Sequence, residues 1–157
     1  MRIGFGFDVH QLQEGRDFWL GGILIPAQKG ILGHSDADVL LHAICDAILG
    51  SLALGDIGKH FPDTDQNFKG IDSKILLAKV MELITEKGYK IGNIDTTVVC
   101  QNPKIMPYAL QMQECIAGIC NIGINDISIK ATTNETMGFI GREEGIVAYA
   151  VVLLLVK

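Results

Sequence analysis

Apolar residues recur along this chain at two spacings, three-to-four and two, and the alternation between them lays out the elements. Val39, Leu40, Ala43, Ile44, Ala47, Ile48 and Leu52 repeat at helical spacing, predicting a helix to about Ala53 that Ser35 or Asp36 caps. A second helix is predicted from Asp72-Ser73 through Ile75, Leu76, Val80, Leu83 and Ile84, with Gly88 behind Lys87 as its stop. Pro107 is placed to start a third, through Ala109, Leu110, Met112, Ile116, Ala117 and Ile119, which Gly123 ends. Strand patterns run from Met1 to His10, Ile94 to Cys100, Ile127 to Ala131 and Gly145 to Val156. Phe18-Trp19-Leu20 and Ile23-Leu24-Ile25 flank Gly21-Gly22, a hairpin signature. Gly30 to Ser35, carrying His34, and Gly55 to Asp65, carrying His60, read as loops; His60 is expected on the surface.

This order predicts an α+β fold, an α/β sandwich with a single mixed sheet covered by helices on one face, in one domain over 1–157. The last strand is apolar at nearly every position, so both its faces need cover. In a chain of 157 residues the second face points to another copy of the chain, a homo-oligomer.

Composition narrows the function. The net charge is −5, and no run of Lys or Arg is dense enough to follow a nucleic-acid backbone. An anionic substrate would need local help from metals, backbone amides or single basic residues. Cys45, Cys100, Cys115 and Cys120 lack Cys-x-x-Cys spacing and read as buried free thiols in a reducing compartment. The apolar run Val147 to Val156 is too short to span a bilayer as a helix, and no targeting segment is apparent, so the expectation is a soluble, cytoplasmic, bacterial protein.

Candidate chemistry begins with Asp8-x-His10, whose side chains leave the same face of a strand, and His42 on the first helix. One carboxylate and two imidazoles suit a divalent cation such as zinc, and three protein ligands leave a position open, here for a phosphate. The competing use is a strand-end acid and two hydrogen-bonded histidines. Asp38, His42 and Asp46 share a helix face, so either acid is placed to hold the second nitrogen of His42. Thr132 and Glu135 fit a capping box, compatible with phosphate at the backbone amides and a hard cation at Glu135. Arg142, between glycines, is placed to meet an anion or to pair with Glu143 or Glu144. Asn102-Pro103-Lys104-Ile105-Met106-Pro107 is a third place for an anion or nucleotide. No nucleophile beside a base and no Walker-type loop occurs, which suits attack by an already ionised phosphate.

Taken together, Asp8-x-His10, His34-Ser35-Asp36-x-Asp38, His42, Gly55-Asp56-Ile57-Gly58, Phe61-Pro62-Asp63-Thr64-Asp65, Lys130-Ala131-Thr132-Thr133-x-Glu135 and Gly141-Arg142-x-Glu144-Gly145 form a recognisable series. Over essentially its whole length the chain resembles the 2-C-methyl-D-erythritol 2,4-cyclodiphosphate synthase family, homotrimeric enzymes of non-mevalonate isoprenoid biosynthesis. The resemblance implies a phosphorus-oxygen lyase. The 2-phosphate of 4-diphosphocytidyl-2-C-methyl-D-erythritol 2-phosphate attacks the β-phosphorus, and CMP leaves. It implies that Asp8, His10 and His42 hold Zn²⁺ and that Glu135 holds a second divalent cation, Mg²⁺ or Mn²⁺. His34 and Thr133 match residues that assist charge development. Ser35, Asp56, Ile57, Gly58, Phe61, Pro62, Asp63, Thr64 and Asp65 match the pocket for the methylerythritol phosphate end. Cys100, Gln101, Asn102, Pro103, Lys104, Ile105 and Met106, with Ala131, Thr132, Thr133, Phe139 and Arg142, match the cytidine side. Each site is implied to lie between neighbouring subunits. The chain departs from the family pattern at Thr136, where Lys is common, at Tyr149, where Glu is common, and at Cys100, where Ala is frequent.

Overall fold

Strand β1, Arg2–Glu14, alternates from Ile3 to Gln13 between two environments, and that alternation organises the molecule. Gly4, Gly6 and Leu12 are buried on one face, while Ile3, Phe5, Phe7 and Val9 are exposed on the other. The computed structural model describes residues 1–62 and 70–157 of the chain. After β1 come β2 (Trp19–Leu20), β3 (Ile23–Leu24), β4 (Lys29–Leu32), α1 (Val39–Ser51), α2 (Ile57–His60), α3 (Ser73–Glu86) and β5 (Tyr89–Val99). The chain continues with α4 (Ala109–Cys120), β6 (Ile127–Thr132), α5 (Gly138–Gly141) and β7 (Gly145–Val156).

Five strands form one mixed sheet in the order β4-β1-β7-β5-β6, with β5 and β6 parallel and the other neighbours antiparallel. The helices bury one face: Ile146, Ala148, Ala150, Val152 and Leu154 of β7 are at most 0% exposed. On the opposite face Tyr149 and Val151 of β7 lie open beside Phe7 and Phe5, their register partners. The Tyr149 ring stands 5.4 Å from that of Phe7. The expected layout, a mixed sheet with helices on one side, therefore holds. The second face of β7 is an exposed apolar surface in the single chain.

Helix α1 is the centre of the core, with Val39, Leu40, Leu41, Ala43, Ile44, Ala47 and Ile48 fully buried. It crosses β1 at contact distance because Gly4 and Gly6 have no side chains. A Cβ on Gly4 would lie 1.8 Å from the Ala47 carbonyl oxygen, and one on Gly6 would lie 1.9 Å from that of Ala43. Two strand residues advance about 6.7 Å and four helix residues about 6 Å, so the two chains stay in step along the crossing. The next step along β1, Asp8 and His10, thereby meets the first turn of α1, where His42 sits.

Several local expectations are corrected. The cap of α1 is Asp38, not Ser35 or Asp36. Its buried carboxylate accepts N–H bonds from Leu41 (3.0 Å), Gly21 (2.9 Å) and Gly22 (2.7 Å), joining the helix start to the β2-β3 turn. Both turn glycines have positive φ, 60° and 80°, as a two-residue hairpin of this hand requires. Lys29–Leu32, which overlaps the predicted loop from Gly30, pairs with β1 as an edge strand. Ile57–His60 is a short helix capped by Asp56 within the segment read as loop, and its His60 Nε2 lies 3.1 Å from the Leu54 carbonyl. No helix starts at Thr132, so there is no capping box; Glu135 and Thr136 take positive φ and α5 begins only at Gly138. Asn121, left-handed at φ 52°, ends α4 in place of Gly123. No helix of the described residues is long and apolar enough to cross a membrane.

The crossing gives a stability test. Gly6→Ala should destabilise the fold by about 3 kcal/mol or more, because backbone on backbone cannot give way. Gly118→Ala, in an exposed helical position with nothing within 4 Å, should stabilise by about 0.5–1 kcal/mol. Urea unfolding at fixed protein concentration measures both.

Candidate active site

Asp8 and His10 leave the helix-covered face of β1, and His42 descends on them from α1. The Asp8 Oδ2 lies 3.0 Å from His10 Nε2 and 3.0 Å from His42 Nδ1. The two ring nitrogens are 3.2 Å apart. One donor atom from each residue falls within 4.8 Å of the others. The outer nitrogens are also engaged. His10 Nδ1 is 3.0 Å from the Leu32 carbonyl, which can only accept, so Nδ1 carries a proton; Nε2 then donates to Asp8 when the ring is charged and turns a lone pair toward Asp8 and His42 when it is neutral. His42 Nε2 faces the hydroxyl of buried Ser73 at 2.9 Å and that of Ser35 at 3.3 Å.

Burial raises the Asp8 carboxyl, but the hydrogen bonds and charges of His10 and His42 outweigh it and hold it at about 2. For His10 the balance runs the other way: burial lowers its pKa, and the hydrogen bond and charge of Asp8, with the Leu32 carbonyl, leave it raised. One carboxylate and two imidazoles, the rings deprotonated on metal binding and each turned by a second contact, fit a divalent metal with a ligand position to spare. Without an ion the same groups hold one another as an acid between two histidines.

Neither acid on the His42 helix face holds its second nitrogen. Asp38 is committed to the helix cap. Asp46, one turn further, accepts the Ile57 N–H at 2.8 Å and so ties Asp56, Ile57 and Gly58 to α1 beside His42. Burial raises the Asp46 carboxyl, partly offset by that bond. The partner is Ser73, which the sequence marks only as a helix start. No local signal links it to a histidine 31 positions away.

Around this cluster, His34 is exposed and Ser35 half-buried on the loop before α1. Phe61 and Pro62 follow α2, with Phe61 donating its N–H to Ile57 O at 2.7 Å. Asp63, Thr64 and Asp65 lie outside the described residues. A cleft beside β1 is lined by Val9, His10, Gln11, Phe139, Glu144 and Gly145, which sets Phe139 near the metal-type cluster.

The remaining candidates gather elsewhere. Register aligns Val9 with Val147, Val147 with Val99, and Val99 with Thr132. The loops after β5 and β6 thus sit at the same end of the sheet as His10, but two and three strands over from β1, about 10 and 14 Å away. They form their own cluster: Cys100 donates its N–H to Thr132 O at 3.0 Å, and Gln101 Oε1 accepts the Thr136 N–H at 3.3 Å. Thr133 Oγ1 donates to Glu135 at 3.1 Å, both residues exposed. Thr132 is exposed and Ala131 half-buried at the end of β6. Asn102 donates to Glu143, whose carbonyl accepts from Lys29 Nζ at 2.9 Å. Pro103 and Lys104 follow on the outer part of this loop. Met106 and Phe139 are exposed, whereas Ile105 and Cys100 are buried and serve the loop's footing rather than its surface. Burial pushes the Cys100 thiol up to about 12. Arg142 forms a two-pronged pair with Glu144, 2.9 Å and 3.0 Å, of the surface type named as the alternative use.

Residues 1–155 match the model of the YgbB family. The chain is 59% identical over 154 residues to the 2-C-methyl-D-erythritol 2,4-cyclodiphosphate synthase of Porphyromonas gingivalis, covering 98% of this chain and 95% of that one. A solved structure titled as 2C-methyl-D-erythritol-2,4-cyclodiphosphate synthase, bound form CDP, superposes with a TM-score of 0.91 at 36% identity, covering 98% and 100% of the two chains. The bifunctional IspDF of Campylobacter jejuni gives 0.95 at 42% identity over 99% of this chain, which corresponds to 42% of that longer protein. With the sheet order, the His-Asp-His cluster and these likenesses in agreement, the chain belongs to the YgbB family.

Proposed function

We propose that this protein is a 2-C-methyl-D-erythritol 2,4-cyclodiphosphate synthase, a lyase of non-mevalonate isoprenoid biosynthesis. It converts 4-diphosphocytidyl-2-C-methyl-D-erythritol 2-phosphate to the cyclic 2,4-diphosphate with release of CMP. The observation that carries the reading is the convergence of Asp8, His10 and His42 in a chain 59% identical to a synthase of that name.

The nucleophile is a phosphate oxygen already ionised at neutral pH, so the chain supplies positions and charge rather than a general base. Asp8, His10 and His42 hold Zn²⁺, and Glu135 holds a second cation, Mg²⁺ or Mn²⁺. Bound there, the ions neutralise and polarise the diphosphate oxygens. The Thr133 hydroxyl and His34 assist the charge that develops on the transferring phosphate as CMP departs. Ser35, Asp56, Ile57, Gly58 and the segment from Phe61 to Asp65 bind the methylerythritol phosphate end. The loop Cys100 to Met106, with Ala131, Thr132, Thr133, Phe139 and Arg142, binds cytidine diphosphate, for which Arg142 exchanges its Glu144 partner.

Assembly follows from the separation of these two groups. One chain's metal cluster and its own nucleotide loops stand two to three strands apart, so a complete site joins the first group of one copy to the second group of its neighbour. The exposed apolar stripe of Ile3, Phe5, Phe7, Val9, Tyr149 and Val151 supports a homotrimer closed around the uncovered face of the sheet.

Incubation with the cytidyl substrate should yield CMP and cyclic diphosphate in equal amounts; a linear monophosphate would mark a phosphoesterase instead. Asp8→Ala and His42→Ala should each lower turnover more than about 100-fold, beyond the loss typical of an outer-sphere partner, while sedimentation shows the same oligomer. Phe7→Asp should dissociate the trimer and lose activity with it, as read by sedimentation and assay. A pH series with and without zinc tests the cluster. In the metal-free protein, the raised His10 contributes stability that is full below its ordinary 6.5 and lost as pH rises through its folded value. The depressed Asp8 contributes stability present above its ordinary 3.8 and lost as pH falls toward about 2. Metal needs the imidazoles deprotonated, so the rise in Tm on adding zinc should grow from about pH 6 to about pH 8.

A further inference from the structure

Ser73 opens α3, is 0% exposed, and carries the hydroxyl nearest to His42 Nε2. That hydroxyl has a single proton, and its closest acceptor is Asp36: Ser73 Oγ donates to Asp36 Oδ1 at 2.5 Å, while the Ser73 backbone N–H donates to Asp36 Oδ2 at 2.9 Å. A carboxylate cannot give a proton back. With its proton spent on Asp36, the Ser73 oxygen can only accept from His42, so His42 must carry its proton on Nε2. Its Nδ1 lone pair is then the one that faces Asp8 and His10.

We propose that Asp36 and Ser73 form a two-residue relay that fixes the tautomer of His42 and thereby sets the metal affinity of the site. This makes both positioning residues, and it rests on the reading of Asp8, His10 and His42 as a metal site. The relay opposes a local bias. Asp8 Oδ2, 3.0 Å from Nδ1, favours a proton on that nitrogen when no metal is bound. The Ser35 hydroxyl, already accepting the Ala37 N–H at 3.0 Å, stands further from Nε2, at 3.3 Å against 2.9 Å for Ser73, and is the weaker partner. Two backbone bonds hold the relay in place: Asp36 donates its N–H to Ile71 O at 3.2 Å, and His34 O accepts the Gly70 N–H at 2.8 Å. The loop before α1 and the approach to α3 are thus fastened together behind the metal cluster.

Ser73→Ala removes the hydroxyl and leaves the backbone bond to Asp36, so it separates the relay from the fastening of the loop. Asp36→Asn keeps the shape but loses the acceptor-only pair. Zinc dissociation constants from competition with a chelating dye should rise about 10- to 100-fold in both variants. Nitrogen-15 shifts of His42 in the metal-free protein, at a pH where the ring is neutral, should show Nε2–H in the parent and a swing toward Nδ1–H in Ser73→Ala. Parent-like zinc affinity in Ser73→Ala, or a His42 tautomer unchanged by it, overturns the relay. Failure of the parent itself to bind zinc in a manner lost on Asp8→Ala would instead overturn the metal site on which the relay rests.

Discussion

The structure depends on one close crossing, that of α1 over β1. Gly4 and Gly6 let the helix backbone descend onto the strand, their missing side chains replaced by the carbonyls of Ala47 and Ala43. A helix held at the ordinary distance by larger residues would leave His42 short of Asp8 and His10. The same contact that centres the hydrophobic core therefore also sets the spacing of the candidate metal ligands, and stability and chemistry share one set of residues.

Around that crossing each ligand is held twice. Asp8 and His10 are fixed by β1, which lies between β4 and β7; Asp8 Oδ1 also accepts the Val9 N–H at 2.9 Å, and His10 is also fixed by the Leu32 carbonyl on β4. His42 is fixed by α1, whose first turn Asp38 ties to the β2-β3 hairpin, and by Ser73 on α3. Asp46 extends the same helix face to α2. Rigid elements with second contacts behind each ligand are what a site needs if it is to position two phosphates without a nucleophile or base of its own.

Much of this was legible in the sequence, for definite reasons. Helices α1, α3 and α4 announced themselves through periodicity, and Gly21-Gly22 marked its hairpin because that turn needs positive φ at both positions. Asp8-x-His10 pointed to one face because strand period is two. What stayed hidden was long-range. The edge strand Lys29–Leu32 carries too few residues to show a pattern. Asp38 looked like a histidine partner because helical spacing puts it on the His42 face, yet three backbone N–H groups claim its oxygens. Ser73 and Asp36 touch across 37 positions, a contact no local pattern encodes. The alternate glycines of β1 were the overlooked clue, since small residues two apart in a strand announce a backbone resting on that face. The division of candidate residues between two sheet regions could not be read from order along the chain, because β6 follows β5 in sequence but lies three strands from β1.

The proposed metal site has Asp8, His10 and His42 sharing one ion through Oδ, Nε2 and Nδ1. Crystals grown with zinc and measured either side of its absorption edge test this directly. The expected anomalous map has one strong peak bound by those three atoms at about 2.0–2.2 Å, with Ser73 against the far nitrogen of His42. A map without that peak, or one in which zinc is bound through His42 Nε2, would contradict it.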